Sequence, residues 1–157
     1  MTIRKILSVL MICMIVGLAP VSGSDPADNT KTETKLAHPE VARIPAKELV
    51  QLIESKADIV IVDTQAADGY EMWHIPSAVN VTYDPVADPM VRQLMLIALP
   101  MDKLIVIYCL CEEGTDSARM ALELIDLGYS RENIKVLEGG LIEWDANDCP
   151  IIKQEMH

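Results

Sequence analysis

Two short apolar runs constrain the fold of this chain more than any other feature of its sequence. One covers Ile59 to Val62 and ends at Asp63, and the other covers Leu104 to Tyr108. Neither run alternates apolar with polar residues, so each is typical of a strand that is buried on both faces of a sheet. Helical patterns precede and follow them, and strands that alternate with helices indicate an α/β fold. We therefore predict a central, mostly parallel sheet with helices on both faces.

Caps, turns and apolar periodicity predict the remaining elements. In chain order they are a strand at Val41–Ile44, a helix that Pro45 opens, a helical turn near Asp68–Met72, a strand at Ala78–Val81, a helix from Asp88-Pro89 to about Leu99, a helix that Ser117 caps and Gly128 ends, a strand at Ile134–Leu137, and a short helix from Gly139-Gly140 through Trp144. Strands and helices thus keep alternating, as crossover connections in a parallel sheet require.

The first residues are typical of a secretory signal peptide and are not expected to belong to the fold. Arg4 and Lys5 give a positive start, and an apolar stretch of 14 residues follows at Ile6–Ala19. Pro20 and small residues come next, and the stretch is shorter than the ~20 residues of a membrane-spanning helix. We therefore predict that residues 1–23 are a signal peptide and that the protein is exported, to the periplasm or outside the cell, in preference to an uncleaved membrane anchor.

The cleaved chain would be a strongly acidic domain behind a polar segment. Residues 24–40 have no apolar period and are predicted to be a flexible linker, and residues 41–153 form the predicted domain. The chain carries 24 acidic and 13 basic side chains, a net charge of −11, and loss of Arg4 and Lys5 would bring it to −13. Binding to phosphates or to anionic lipid needs basic side chains. The sequence therefore predicts neither a nucleic-acid partner nor, after signal cleavage, a membrane.

Cysteines mark the end of the second apolar run. Cys109 and Cys111 lie between a predicted strand and a predicted helix, where backbone N–H groups and the helix dipole favour a thiolate. Such a position suits a cysteine that forms a covalent intermediate. Cys149 lies elsewhere and makes the number of thiols in the cleaved chain odd. At least one thiol must then be free, metal-bound, modified or joined to another chain.

The chain resembles the rhodanese-like (sulfurtransferase) family in five ordered blocks. They are Ile59–Asp63, a strand that ends in Asp; His74–Asn80, similar to a GHIPGAxN segment; Asp102–Cys109, a strand that delivers a cysteine; Ser117–Tyr129, a helix that ends in a Gly-Tyr turn; and Leu137–Trp144, which matches LxGGxxxW. Each block alone is weakly specific, but their order across Val41–Ile152 is specific. The resemblance implies a rhodanese-like three-layer fold.

The resemblance also implies a chemistry. In this family a cysteine takes sulfane sulfur from a small donor such as thiosulfate or polysulfide, becomes a persulfide, and passes the sulfur to a thiol or another nucleophilic acceptor, without a cofactor. The loop after the cysteine would bind the anion through backbone N–H groups. Its residues here are Glu112, Glu113, Gly114, Thr115, Asp116 and Ser117. A partner protein is a further candidate ligand of this loop.

Two alignments compete for the position of the nucleophile. The strand register favours Cys109, whereas the loop length favours Cys111, since the stretch from Cys111 to Ser117 fits the family's Cys-x-x-Gly-x-Arg-Ser except at Asp116. Alternation along an extended strand points both thiols to the same side. We slightly prefer Cys111, because a loop that binds an anion needs a fixed number of N–H groups between the sulfur and the helix. Cys109 remains the alternative nucleophile.

The loop departs from the family in its charge. Glu112, Glu113 and Asp116 replace positive or neutral residues, and carboxylates that face the sulfur would disfavour its thiolate and repel anionic donors such as thiosulfate. If they point outward, the helix dipole can prevail. Arg119 lies in the first helical turn and is a candidate substitute for the missing arginine, although a solvated helix residue is the simpler interpretation.

Three functions therefore stay open: a sulfurtransferase, a thiol–disulfide redox protein that uses the Cys109–Cys111 pair, and a non-catalytic rhodanese-like module that binds a partner. A soft-metal site is not favoured, because no His or third Cys lies at ligand spacing. Two further residues are predicted to be structural. Asp63 would accept hydrogen bonds from loop backbone, and His74 would hold a turn rather than act as a general base.

Overall fold

The computed structural model describes residues 35–154, and the predicted signal peptide and residues 24–34 of the predicted linker lie outside the described residues. The elements are β1 (Arg43–Ile44), α1 (Ala46–Glu54), β2 (Ile59–Asp63), α2 (Ala67–Met72), β3 (Trp73–His74), β4 (Val79–Asn80), α3 (Pro89–Leu96), β5 (Leu104–Tyr108), α4 (Thr115–Asp126), a 3-10 turn (Arg131–Asn133), β6 (Ile134–Leu137), α5 (Gly140–Ala146) and β7 (Ile152–Lys153).

Five strands form one parallel sheet in the order β1-β6-β5-β2-β4. The two apolar runs, β2 and β5, are neighbours near its centre and pair from Ile59 with Leu104 to Asp63 with Tyr108. A parallel sheet flanked by helices confirms the predicted fold class. Because β2 and β5 end level with each other, Asp63 and the residues after Tyr108 reach the same edge of the sheet.

Both faces of the sheet are buried, which explains the unbroken apolar runs. Ile105 and Ile107 pack on one side with helices α3 and α4, for example against Leu124. Val106 and Tyr108 face the other side with helices α1 and α5 and contact the cluster that contains Trp144. Successive strand residues point to opposite faces, so a strand between two helical layers has no position for an exposed polar side chain.

Two helix boundaries differ from the prediction. Helix α4 begins at Thr115 with Gly114 as its N-cap, at φ 69, so the prediction that Ser117 caps this helix is wrong. Ser117 lies instead within the first turn, where its hydroxyl donates to the Gly114 carbonyl at 3.1 Å. Helix α3 ends at Leu96, before the predicted Leu99, although Asp88 caps it as predicted by accepting from the Met90 N–H at 2.9 Å.

A second, two-stranded sheet was not expected from the sequence. β3 and β7 pair antiparallel, with Trp73 opposite Lys153 and His74 opposite Ile152. Strands of two residues have no periodicity from which they could be recognised. This pairing fastens the C-terminal end of the domain to the segment after α2. No helix among residues 35–154 is long and apolar enough to cross a membrane.

Candidate active site

A cleft of about 290 Å³ opens at the carboxyl ends of β2 and β5. This edge is where parallel α/β sheets bind their ligands. The lining comes from the loops that follow the two strands, from helices α2 and α4 after those loops, and from Tyr83: Thr64, Gln65, Ala66, Gly69, Tyr83, Cys109, Leu110, Cys111 and Asp116. The sequence pointed to both cysteines and to Asp116, whereas Thr64 and Tyr83 carried no signal because they are ordinary loop residues.

The two cysteines of this loop lie side by side. Their Sγ atoms are 3.0 Å apart, within hydrogen-bond distance for a thiol and a thiolate. Cys109 is the inner thiol, with 3% of its surface exposed. Its Sγ is 3.5 Å from the Ser117 hydroxyl, which shares its one proton between this sulfur and the Gly114 carbonyl. Cys111 is the outer thiol and is only half-buried. One cysteine is therefore held by the fold, and the other is open to a ligand.

The inner thiol is difficult to ionise. Burial, and after it the hydrogen bond to Cys111, raise the pKa of Cys109 to about 11, and the Ser117 hydroxyl partly opposes them. Removing a charged form from water disfavours it, and this thiol lies almost wholly inside the domain. At neutral pH Cys109 is therefore a thiol that can donate its proton to the sulfur of Cys111.

Glycine at position 140 is required by the path of this loop. The Cys109 carbonyl accepts from the Leu141 N–H at 2.9 Å, so the loop backbone lies directly on the start of α5. A Cβ on Gly140 would lie 2.6 Å from the carbonyl oxygens of both Cys109 and Cys111, and the residue has φ +56. Only glycine avoids the contact and tolerates this conformation. The second glycine of the LxGGxxxW block thus sets the position of both thiols.

The acidic side chains of the loop divide into two groups. Glu112 and Glu113 are exposed, whereas Asp116 is half-buried and lines the cleft. Gly114 is buried, and Thr115 is half-buried at the start of α4. Two of the three carboxylates thus point to solvent, and one faces the space that a ligand would occupy.

Arg119 lies outside the cleft. Its side chain is exposed on α4, and it is not among the residues that line the cleft. No Lys or Arg of residues 35–154 lines the cleft at all. The same part of the chain contains no cluster of three or more His, Cys, Asp and Glu side chains that could hold a metal ion.

Asp63 ties the loop after β2 to the end of β5. It is fully buried, and its carboxylate accepts from the Gln65 N–H at 2.8 Å, the Gln65 amide at 3.0 Å and the Tyr108 hydroxyl at 2.5 Å. The Tyr108 hydroxyl in turn accepts from the Ile75 N–H at 3.0 Å. Burial raises the pKa of Asp63, and the hydrogen bonds from Tyr108 and Gln65 oppose this effect. The network fixes one wall of the cleft.

His74 lies in β3, away from the cleft. Its Nδ1 is 2.6 Å from the Tyr70 carbonyl oxygen, and its ring stacks on the Tyr70 ring at a centroid distance of 4.0 Å. It is not among the residues that line the cleft, and its hydrogen bonding is within its own turn.

Tyr108→Phe is expected to destabilise the domain by ~2 kcal/mol at neutral pH, because the buried Asp63 carboxylate and the Ile75 N–H each lose a partner. The pKa of Asp63 is higher in the folded than in the unfolded protein. Asp63 therefore stabilises the fold at pH values below its unfolded pKa, and this contribution is lost as the pH rises through its folded pKa. Since loss of the hydroxyl would raise that pKa further, the destabilisation should shrink towards a pH of about 3.9. Urea unfolding at both pH values measures it.

Tyr83→Phe is the matched control, since the Tyr83 hydroxyl makes no hydrogen bond within residues 35–154 and its ring stays beneath Arg92 at 4.6 Å. A loss of equal size in both variants would show that the Asp63 network contributes nothing.

Comparison with known proteins gives the following matches. Residues 45–147 match the rhodanese-like domain family. Over 115 residues the chain is 30% identical to the adenylyltransferase and sulfurtransferase UBA4 of Candida albicans, an alignment that covers 71% of this chain and 25% of that protein. The chain therefore spans about a quarter of the length of that relative.

Solved structures show the same fold. The BH2092 protein of Bacillus halodurans superposes with a TM-score of 0.62 at 21% identity, over 73% of this chain and 78% of that one. Thiosulfate sulfurtransferase of Pseudomonas aeruginosa superposes with a TM-score of 0.60 at 20% identity, over 75% of this chain and 21% of that one.

Proposed function

Because the chain belongs to the rhodanese-like domain family, we propose that it is an exported sulfurtransferase that carries sulfane sulfur as a persulfide on Cys111. The observation that supports this most strongly is the pair of thiols, 3.0 Å apart, in a cleft at the carboxyl ends of the central strands. A sulfurtransferase among the relatives supports the same class of reaction. The donor and the acceptor are small molecules or thiols that can enter a cleft of about 290 Å³.

The half-buried Cys111 is the better nucleophile of the two. Cys109, whose pKa is raised to about 11, keeps its proton at neutral pH, and the acceptors within reach of that proton are Cys111 Sγ at 3.0 Å and the Cys111 carbonyl oxygen at 3.4 Å. A single negative charge on the pair is then carried by Cys111, where a hydrogen bond stabilises it. The thiolate is the reactive form of cysteine, so the attacking sulfur is the outer one.

The transfer balances as two displacements. The Cys111 thiolate attacks the terminal sulfur of an organic persulfide, the S–S bond of the donor breaks, and the donor leaves as a thiolate with the electron pair. Cys111 then carries an S–SH group. An acceptor thiolate attacks the outer sulfur, takes it as its own persulfide, and returns Cys111 to the thiolate.

The cleft favours donors that are not dianions. Among residues 35–154 its lining includes one carboxylate, Asp116, and no cationic side chain. Thiosulfate would meet repulsion at this point, whereas an uncharged organic persulfide would not. We therefore infer that thiosulfate is a poor donor and that organic persulfides are better ones.

Asp116→Asn is expected to raise the rate of sulfur transfer from thiosulfate by about tenfold and to leave the rate from an uncharged organic persulfide nearly unchanged, because it removes a negative charge at the cleft. Thiocyanate formation from cyanide measures both rates. Asp126→Asn, an exposed acid at the end of the same helix, is the control. Equal gains with both donors would contradict an electrostatic role.

The short distance between the thiols supports a second reaction. Once Cys111 carries a persulfide, Cys109 can attack its inner sulfur, so that a Cys109–Cys111 disulfide forms and hydrogen sulfide leaves with the proton of Cys109. An external thiol would then reduce the disulfide. Cys109→Ser separates the two reactions, since it should abolish hydrogen sulfide release in the absence of an acceptor and retain transfer to cyanide.

The proposal is tested by incubating the cleaved protein with an organic persulfide and then adding cyanide. Formation of thiocyanate in repeated turnovers supports a sulfurtransferase. A protein that forms no thiocyanate from persulfide, polysulfide or thiosulfate is not one, and the binding-module hypothesis would then apply.

A further inference from the structure

Arg43 lies behind the loop that carries the cysteines. It belongs to the edge strand β1, opposite Val136 of β6. Its Nη2 donates to the Ala37 carbonyl and, at 3.4 Å, to the Glu113 carbonyl. The Glu113 carbonyl also accepts from the Ala37 N–H at 3.1 Å, so Arg43 and the segment before β1 hold the same peptide of the loop.

Little lies between this guanidinium and the inner sulfur. A Cβ on Gly114 would be 2.7 Å from Arg43 Nη1 and 3.3 Å from Ser117 Oγ, and the Ser117 hydroxyl is 3.5 Å from Cys109 Sγ. A residue without a side chain and one hydroxyl therefore separate the cation from the thiols. Gly114 leaves the space that Arg43 occupies, which gives this glycine a role besides its positive φ.

The guanidinium forms no ion pair within 4 Å with any carboxylate of residues 35–154. Its Nε and Nη1 atoms are buried and donate no hydrogen bond to any residue from 35 to 154. Burial lowers the pKa of Arg43, and Coulomb attraction to Cys109, Glu138 and Cys111 opposes this effect. A buried charge is costly unless an opposite charge compensates for it. An anion on the cysteine pair would supply that compensation.

We propose that Arg43 is a positioning residue that supplies, from behind the loop, the positive charge which the loop lacks at Asp116. Its guanidinium stabilises the negative charge of the Cys109–Cys111 pair and of the persulfide formed there, while the exposed faces of the loop stay acidic. The role of Arg43 in stabilising a persulfide rests on the proposed function. Its position beside the loop rests on the contacts between Arg43, Gly114 and Ser117.

The charge on the pair depends on few other groups. Asp116 lines the cleft together with the two cysteines, and Glu138, which follows β6, attracts Arg43. The start of α4 and the Ser117 hydroxyl favour the thiolate. Arg43 adds a positive charge that borders the loop from the side of β1.

The test follows the rate of iodoacetamide alkylation of the cysteine pair against pH, in a Cys149→Ser background and with mass analysis of the peptide that contains both thiols. Arg43→Gln should move the midpoint of the profile upward by about one pH unit, because it removes a positive charge that attracts both cysteines at a partly buried site. Arg43→Lys, which keeps the charge, should retain most of the original midpoint. Alkylation needs no sulfur donor, so the result is independent of the proposed function.

Control variants distinguish the effect of the Arg43 charge from the effect of its hydrogen bonds to the loop. Arg131→Gln removes an exposed arginine of the 3-10 turn and should leave the midpoint in place. If Arg43→Gln does not fold by circular dichroism, Arg43→Met takes its place, because it removes the charge without leaving a buried polar group unpaired, and it should move the midpoint upward to the same extent. An unchanged midpoint in a folded Arg43→Gln or Arg43→Met protein, or an equal shift in the charge-removing and Lys variants, would overturn the inference.

Discussion

Cys111→Ser is expected to lower sulfur transfer from an organic persulfide to cyanide by roughly a thousandfold or more, because the attacking atom itself is removed. The serine hydroxyl is not ionised at neutral pH, and the remaining thiol is the buried Cys109, whose pKa is raised to about 11. Steady-state thiocyanate formation at saturating donor measures the loss.

Two matched cysteine variants make this result specific. Cys109→Ser should keep the rate within about tenfold, since a serine hydroxyl can still donate a hydrogen bond to Cys111 Sγ. Cys149→Ser should have no effect, because Cys149 lies on the α5 side of the domain, outside the cleft lining. The reverse order, with Cys109→Ser inactive and Cys111→Ser active, would assign the persulfide to Cys109.

Gly140→Ala is expected to be the most destabilising change at the base of the loop, by ~3 kcal/mol or more. Its Cβ would lie 2.6 Å from the Cys109 and Cys111 carbonyl oxygens, and these are backbone atoms that cannot move without moving both thiols. The variant should therefore lose activity together with stability. Urea unfolding gives the change in free energy, and thiocyanate formation in the remaining folded protein gives the change in rate.

Gly128→Ala separates the clash from the backbone conformation. Gly128 also has a positive φ, +97, but the nearest heavy atom to an added Cβ is Met101 Cε at 4.0 Å. This control should cost only the ~1 kcal/mol of an unfavourable backbone region and should leave the rate unchanged. If the two variants lose the same free energy, the contact with the cysteine carbonyls is not what requires Gly140.

The fold followed from the sequence where a pattern is long enough to carry information. Ile59–Asp63 and Leu104–Tyr108 are buried on both faces, so their apolar runs identified the centre of the sheet and the edge at which the cysteines lie. Strands β3 and β7, of two residues each, have no such pattern and form only through their antiparallel pairing. Ser117 looked like a helix cap, but Gly114 already starts the helix.

The candidate site could be predicted only in part from the sequence, for a similar reason. The spacing from Cys111 to Ser117 located the loop, whereas the directions of Glu112, Glu113 and Asp116 depend on how the loop packs. Arg43 was not anticipated, because β1 is distant from the cysteines in the chain, and only the folded sheet brings its guanidinium to the Glu113 carbonyl of the loop. A contact that crosses the sheet leaves no local signal in the sequence.

The most direct test of the account is the location of the sulfur after a single exposure to donor. The protein without residues 1–23 is incubated with an organic persulfide, the free thiols are alkylated, and the peptide with both cysteines is fragmented in a mass spectrometer. The account predicts one added sulfur atom on Cys111 that cyanide removes. An added sulfur on Cys109 alone, or no added sulfur on either cysteine, would contradict it.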